Sequence, residues 1–517
     1  MRGSRWVVVL VLAGCGGSHR VSRSPAPDLA PRREGATAPE APGAAVAGNQ
    51  LPLDRLPQVA EPLPTPTPTP TPTLGTPIAD SHRAAATRLL EVGLPARRAF
   101  ERLSWLTDRI GNRLAGSAAL TQAVTWAEAS LREDGHDSVR AEKVMVPHWV
   151  RGAESVELLA PVARPLHMLG LGGSVGTPRK GLEAELLVVS SFDELTAAGP
   201  RVKGKIVLYD VVMPPYGAHG SGYGKVIGYR SRGADRASAL GAVAVLVRSL
   251  TTRSLRSPHT GMMRYDDKQP RIPAAAVSTE DAALLHRLAD AGPVRVRLKM
   301  AARTLPDAES ANVLAELTGR EKPEEIVLIG AHLDSWDVGQ GAHDDGAGVT
   351  IVIEALRLLR ATGLRPRRTV RVVLFTNEEN GLRGAKAYAA AHGADKHVVA
   401  IEADAGGFAP WGVGGLMSAE ALAQLGDVVT LLEPLRAANV VANGDGGADI
   451  EELTGIPLLS LAPEGSTYFD YHHSEADTLD KVNPEHLQMN AVAMAILAYT
   501  LAEMEPALAG GQALEAP

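Results

Sequence analysis

The stretch AHLDSWDVGQGAHDD, residues 331–345, places two histidines and four aspartates within fifteen positions. Imidazole nitrogens and carboxylate oxygens are donors for zinc and other first-row divalent ions, and no thiolate stands beside them here. Both residue types are also ordinary caps and solvated loop residues. His332, Asp334, Asp337, His343, Asp344 and Asp345 therefore need partners before any of them makes a site. Three further clusters offer such partners: TNEEN at 376–380, EADAGG at 402–407 and YHHSEADT at 471–478. Carboxylates brought close together repel one another unless a cation compensates them, so a metal centre is the chemistry that this set suggests.

The elements that would hold these clusters are legible in the apolar pattern. EEIVLIGAHLD, RTVRVVLFTNEE and HVVAIEADAGG each read as a buried strand ending in one of the clusters, and PLLSLAP precedes the fourth. Helical patterns lie between them: GAGVTIVIEALRLLRAT, GLRGAKAYAAAH, residues 417–438 and the closing PEHLQMNAVAMAILAYTLAEM. Such alternation predicts an α/β fold with a mostly parallel, doubly wound sheet flanked by helices. Ligands bind these sheets beyond the carboxyl ends of the strands, where all four clusters fall. Asp345 directly precedes GAGV and reads as the N-cap of that helix. Asp337 and His343 read as loop residues.

Other parts of the chain divide by composition. Residues 79–150 and 306–505 are expected to form the sheet-bearing unit, opening with helices that carry Leu89, Leu90, Phe100, Leu103, Leu106 and Ile110 at helical spacing. Residues 151–305 contain VKGKIVLYDVV, GAVAVLVRS and RIPAAAVST, short β-rich runs divided by Gly and Pro, and read as an inserted β-rich domain. ASALGAVAVLV reads there as a helix end, a glycine turn and a buried strand. The tail 506–517 is expected to be unstructured.

At the start, MRGSRWVVVLVLAGCGGS has a basic opening, a short apolar run and small residues before a cysteine, the parts of a secretory signal. Leu12-Ala13-Gly14-Cys15 resembles the lipobox of bacterial lipoproteins, and Cys15 is the single cysteine of the chain, so no intrachain disulfide is available. Residues 1–15 thus predict a lipidated, exported protein of the bacterial cell envelope. The apolar run is far short of the ~20 residues of a spanning helix, so membrane attachment would be by lipid. Residues 16–78, with PTPTPTPTPT at 64–73, read as a semi-extended spacer. A net charge of −7 over 517 residues gives no basic field for nucleic acid.

Taken together, GAHLDSWDVGQGAHDDGAG, TNEENGLRGAKAY, GGADIEELTGIP and YHHSEADTLDKV resemble the co-catalytic two-zinc exopeptidases of the bacterial aminopeptidase type, most of all their carboxypeptidase Q-like members. The likeness extends over roughly residues 80–505 and implies a zinc exopeptidase fold with a protease-associated domain at the insertion. It implies two Zn2+ per chain, with His332 and Asp404 on one, Glu379 and His473 on the other, and Asp344 bridging. Glu378 would be the general base and Asp334 the carboxylate that orients His332. Asp477-Thr478, four and five residues on, favours His473 over His472 as the ligand. His472 stands where many relatives have a tyrosine that steadies the oxyanion. Asp449 would lie near the site and off the metals, where a structural cap is an equal account. Implied substrates are dipeptides or short peptides with a free N-terminus, and a homodimer is implied as well. A non-catalytic surface receptor on the same fold and a single-zinc glutaminyl cyclase-like transferase are the alternatives. The full ligand set and Glu378 speak against both.

Overall fold

The computed structural model describes residues 77–215, 222–442 and 446–510. Cys15, the lipobox and nearly all of the proline-rich spacer lie outside these residues. Three helices come first, Pro77–Gly93, Arg98–Arg109 and Ala118–Glu133. The second buries Ala99, Leu103 and Leu106 along one stripe. Ser117 caps the third, its Oγ accepting from Leu120 N at 3.1 Å.

The main sheet has eight strands in the order Asp137–Val150, Arg303–Leu317, Arg368–Phe375, Lys322–His332, Lys396–Glu402, Leu458–Pro463, Pro410–Leu416 and Asn439–Ala442. Its four central strands, from Arg368–Phe375 to Leu458–Pro463, run parallel. Antiparallel neighbours flank them on each side, which makes the sheet mixed, with a parallel centre. The centre reads as continuous apolar sequence because both faces are covered: every residue of Arg368–Phe375 is buried. Register pairs His332 with Phe375 and Gly330 with Glu402. Three of the polar clusters therefore leave the sheet at one edge, side by side.

Helix Gly348–Ala361 packs against the closing helix Pro484–Glu503. The latter is buried on almost every side from Leu487 to Ala502, so its sequence is apolar all round rather than amphipathic. No helix among the described residues is long and apolar enough to cross a membrane.

Residues 154–300 build a second eight-stranded sheet, in the order Arg164–Leu166, Glu154–Ala160, Arg295–Met300, Leu182–Val189, Ile206–Tyr209, Ala244–Arg248, Ala274–Val277 and Met168–Gly170. The stretch read as β-rich, with a helix end before GAVAVLV, holds whole helices as well. Helices Phe192–Ala198, Tyr223–Ala239 and Thr279–Ala291 are interleaved with these strands. YGKVIGYRSRGADRASA is rich in Gly, Ser and Arg, so it carries little apolar periodicity to betray a helix. The helix expected over 417–438 is also shorter, α-helical only over Ala419–Val428 and then 3-10 over Val429–Leu435, where Pro434 removes a donor. Strand Pro410–Leu416 was not foreseen, because PWGVGGL holds three glycines. Residues 506–510, expected to be unstructured, are placed: Leu508 is buried and Ala509 N donates to Gln424 Oε1 at 2.9 Å.

Candidate active site

His332 ends its strand with Nε2 3.3 Å from Asp344 Oδ1 and 3.4 Å from Asp404 Oδ1. The second oxygen of Asp344 turns the other way, 3.4 Å from His473 Nε2, and His473 Nε2 lies 3.1 Å from Glu379 Oε2. Asp344 thus stands between two pairs, His332 with Asp404 and Glu379 with His473. The family resemblance had assigned these two pairs to two ions, with Asp344 shared. Donor atoms of His332, Asp344 and Glu379 all lie within 4.8 Å of one another. The Asp344–Asp345 peptide is cis.

The donors also show what they lack. Asp344 Oδ2 is buried with no hydrogen-bond partner, a costly state for a carboxylate unless a cation takes its lone pair. Burial and the neighbouring Asp344 push Glu379 well above the usual carboxylate range. Burial, helped by Asp404, Asp334 and Asp344, raises Glu378 to about 8 against the pull of His332. Burial opposes charge on His332, yet Asp404 and Asp344 outweigh it and hold the ring well above its ordinary value. Such mutual repulsion is relieved by divalent cations, and a nitrogen and oxygen donor set without thiolate suits zinc. The residues present fit the implied metals.

The residues behind the donors divide the supporting work. His332 Nδ1 donates to the main-chain oxygen of Asp334 at 3.1 Å, while the Asp334 carboxylate is 3.9 Å away. Orientation of His332 therefore falls to the Asp334 carbonyl. The carboxylate instead accepts from Glu378 N at 3.1 Å and fixes the turn that presents Glu378. That turn begins at Asn377, with φ 67°, a strained conformation for a non-glycine residue. Trp336 N donates to Glu379 Oε1 at 3.1 Å. Asp345 accepts from Gly348 N at 3.0 Å and His332 N at 3.1 Å, so it is a cap with both oxygens engaged. Gly348 is required there, since a Cβ would lie 1.8 Å from Ala403 O.

His472 is stacked on His473, ring centroids 3.5 Å apart, with Nε2 3.9 Å from Asp344 Oδ2. It lines the edge of the site, and burial drives its pKa down to about 3, so it is neutral. His343 is stacked between Phe408 and Tyr471 and its Nδ1 accepts from Gly407 N at 3.1 Å, which accounts for it as packing. Asp337 is paired with Arg151, Oδ1 to Nη2 at 2.6 Å. Asp449 is buried and neither oxygen accepts a hydrogen bond, so the capping account does not describe it.

Two residues that the motifs did not single out matter here. Arg113, with no solvent exposure, donates from Nε to Leu333 O at 2.6 Å, from Nη1 to Gln340 O at 2.9 Å and from Nη2 to Gly341 O at 3.0 Å. It clasps both ends of the loop between His332 and Asp344. Burial lowers its pKa, while Asp345, Asp477, Asp334 and Asp344 support its charge. Asp477 accepts from His343 N at 2.7 Å and Asp344 N at 3.1 Å, pinning the bridging residue from below. Asp477 had served only to choose between two histidines, and nothing in the local sequence marks Arg113.

Residues 312–498 match the model of Peptidase family M28. The chain is 43% identical over 429 residues to carboxypeptidase Q of Mus musculus, covering 82% of this chain and 90% of that protein. It is 42% identical to carboxypeptidase Q of Homo sapiens, with 82% and 89% covered. Among solved structures, the peptidase M28 precursor from Shewanella amazonensis SB2B superposes with a TM-score of 0.80 at 39% identity, covering 84% of this chain and 99% of that one. A zinc aminopeptidase from Bacillus subtilis shares the fold at a TM-score of 0.59 and 20% identity, over 81% and 98% of the two chains.

Proposed function

The chain belongs to peptidase family M28 and is a metallopeptidase; on that premise we propose that it is a two-zinc exopeptidase acting on dipeptides or short peptides with a free N-terminus. One observation carries the reading: Asp344 directs one oxygen to His332 and the other to His473, while Glu378 stands beside Glu379 unused as a ligand. His332 and Asp404 would hold one ion, Glu379 and His473 the other, and Asp344 both. When bound, the ions supply Lewis acidity to a water and to the peptide carbonyl.

The chain's own residues do the rest. Glu378, held by its N–H on Asp334, takes a proton from the attacking water and returns it to the leaving amine. Neutral His472 faces the cleft edge, where a donor to the oxyanion belongs. The second sheet, read as a protease-associated domain, walls the site through Trp336, whose ring packs into that sheet's core.

A panel of dipeptides, with N-blocked and C-amidated versions, tests the reading alongside metal analysis. The parent should carry two zinc ions and cleave peptides with a free amine. Glu378→Gln should keep both ions and lose about 100- to 10,000-fold in kcat. Full activity of that variant overturns the mechanism, and cleavage of N-blocked peptides overturns the exopeptidase direction.

A further inference from the structure

The histidine assigned to the second ion does not hold itself in place. His473 has φ 59°, in the left-handed region that non-glycine residues rarely occupy. It sits in the turn after the short helix Tyr468–Tyr471, with few regular backbone bonds of its own. Such a conformation persists only where the surroundings over-determine it.

Those surroundings come from the loop that follows strand Ala244–Arg248 of the second sheet. His259 and Ser474 form an isolated antiparallel bridge. Thr260 N donates to His473 O at 2.9 Å, and His259 Nδ1 donates to His472 O at 2.7 Å. Arg230 Nη1 lies 3.4 Å from both Thr260 O and His473 Nδ1, a donor facing two acceptors at the turn. Further out, Arg253 Nε lies 3.1 Å from Asp470 Oδ2.

We propose that this loop, through His259 and the main chain of Thr260, is the positioning element of the second metal site: it fixes the backbone of His472 and His473. The second sheet thereby completes the site rather than merely covering it. The inference rests on the two-zinc reading above.

The test separates the two ions. Zinc is titrated into the metal-free full-length chain under chelator competition, and bound metal is measured by emission; cobalt-loaded protein gives an absorption spectrum for each site. His259→Leu removes the donor to His472 O, and His259→Asn keeps one at similar reach. The second ion should bind about 10- to 100-fold more weakly to His259→Leu, with the first unchanged and the second cobalt band shifted, and His259→Asn should recover most of the loss. Arg253→Ala, at a side chain 58% exposed, decides if the leucine variant does not fold. It should weaken the second ion about two- to five-fold. Equal affinity for both ions in parent and variants overturns the clamp alone. A parent chain that binds fewer than two ions overturns the two-zinc reading instead.

Discussion

Replacing Arg113 with methionine tests how far the metal loop depends on one buried cation. Methionine keeps the aliphatic stem, stops short of the guanidinium and removes every donor. Leu333 O and Gly341 O, both in buried residues, would then lose their partners. A buried acceptor left without a partner costs ~1–3 kcal/mol, so these two give ~2–6 kcal/mol. Gln340 O is partly buried and adds less. Loss of the guanidinium charge beside Asp345, Asp477, Asp334 and Asp344 adds like-charge repulsion in the metal-free chain, so the upper half of that range is expected. Urea unfolding of metal-free parent and variant at pH 7, followed by circular dichroism, reads the difference. Arg113→Lys, which retains charge with fewer donors, should lie between them. With zinc present the gap should narrow, since the ions take over charge compensation. A loss below ~1 kcal/mol in Arg113→Met, within the range of ordinary surface changes, would refute the view that Arg113 clasps the loop.

Gly348→Ala drives a methyl against Ala403 O, a backbone atom that cannot turn aside, and should destabilise by ~3 kcal/mol or more in the same urea assay. His136 is buried with neither ring nitrogen hydrogen-bonded, and burial with Arg360 and Arg102 lowers its pKa to about 4. The folded ring thus stays neutral while the unfolded ring takes a proton near 6.5, so stability is lost as pH falls from 6.5 towards 4 and is flat above. His136→Leu should gain ~2 kcal/mol on its parent between pH 7 and pH 5, and parallel pH profiles of the two would contradict this. We also propose that Cys15 carries the lipid anchor: Cys15→Ser should leave the protein soluble after cell fractionation, and persistent membrane association of the mutant would count against it.

The sequence was most readable where chemistry and topology coincide. His332, Glu379 and Asp404 each follow a run of apolar residues that can only be a buried strand, and parallel register then forces their clusters to one edge. Asp345 as a cap followed from its place before GAGV, and the observed bonds to Gly348 N and His332 N agree. What stayed hidden depends on contacts made across long sequence separations. Arg113 reaches residues more than 200 positions away, and local pattern carries no trace of that. His259 and Thr260 sit in a loop whose composition says only that it is a loop. His343 read only as a loop residue, and the flanking rings of Phe408 and Tyr471 reveal that it is packed. PWGVGGL and the stretch around Pro434 were misread or missed because glycine and proline blur local periodicity, and sheet pairing and packing settle what it does not.

The spread of the donors along the chain bears on when the protein can acquire metal. The assigned ligands run from His332 to His473, and the core behind them is closed by the helix Pro484–Glu503, near the end of the chain. A partly synthesised chain can present His332, Asp344 and Glu379, but neither His473 nor the helix that fixes the sheet beneath them. With the proposed ligands, metal loading would follow completion of the fold rather than precede it. The zinc supply that matters is that of the compartment where folding finishes, not the one where translation begins.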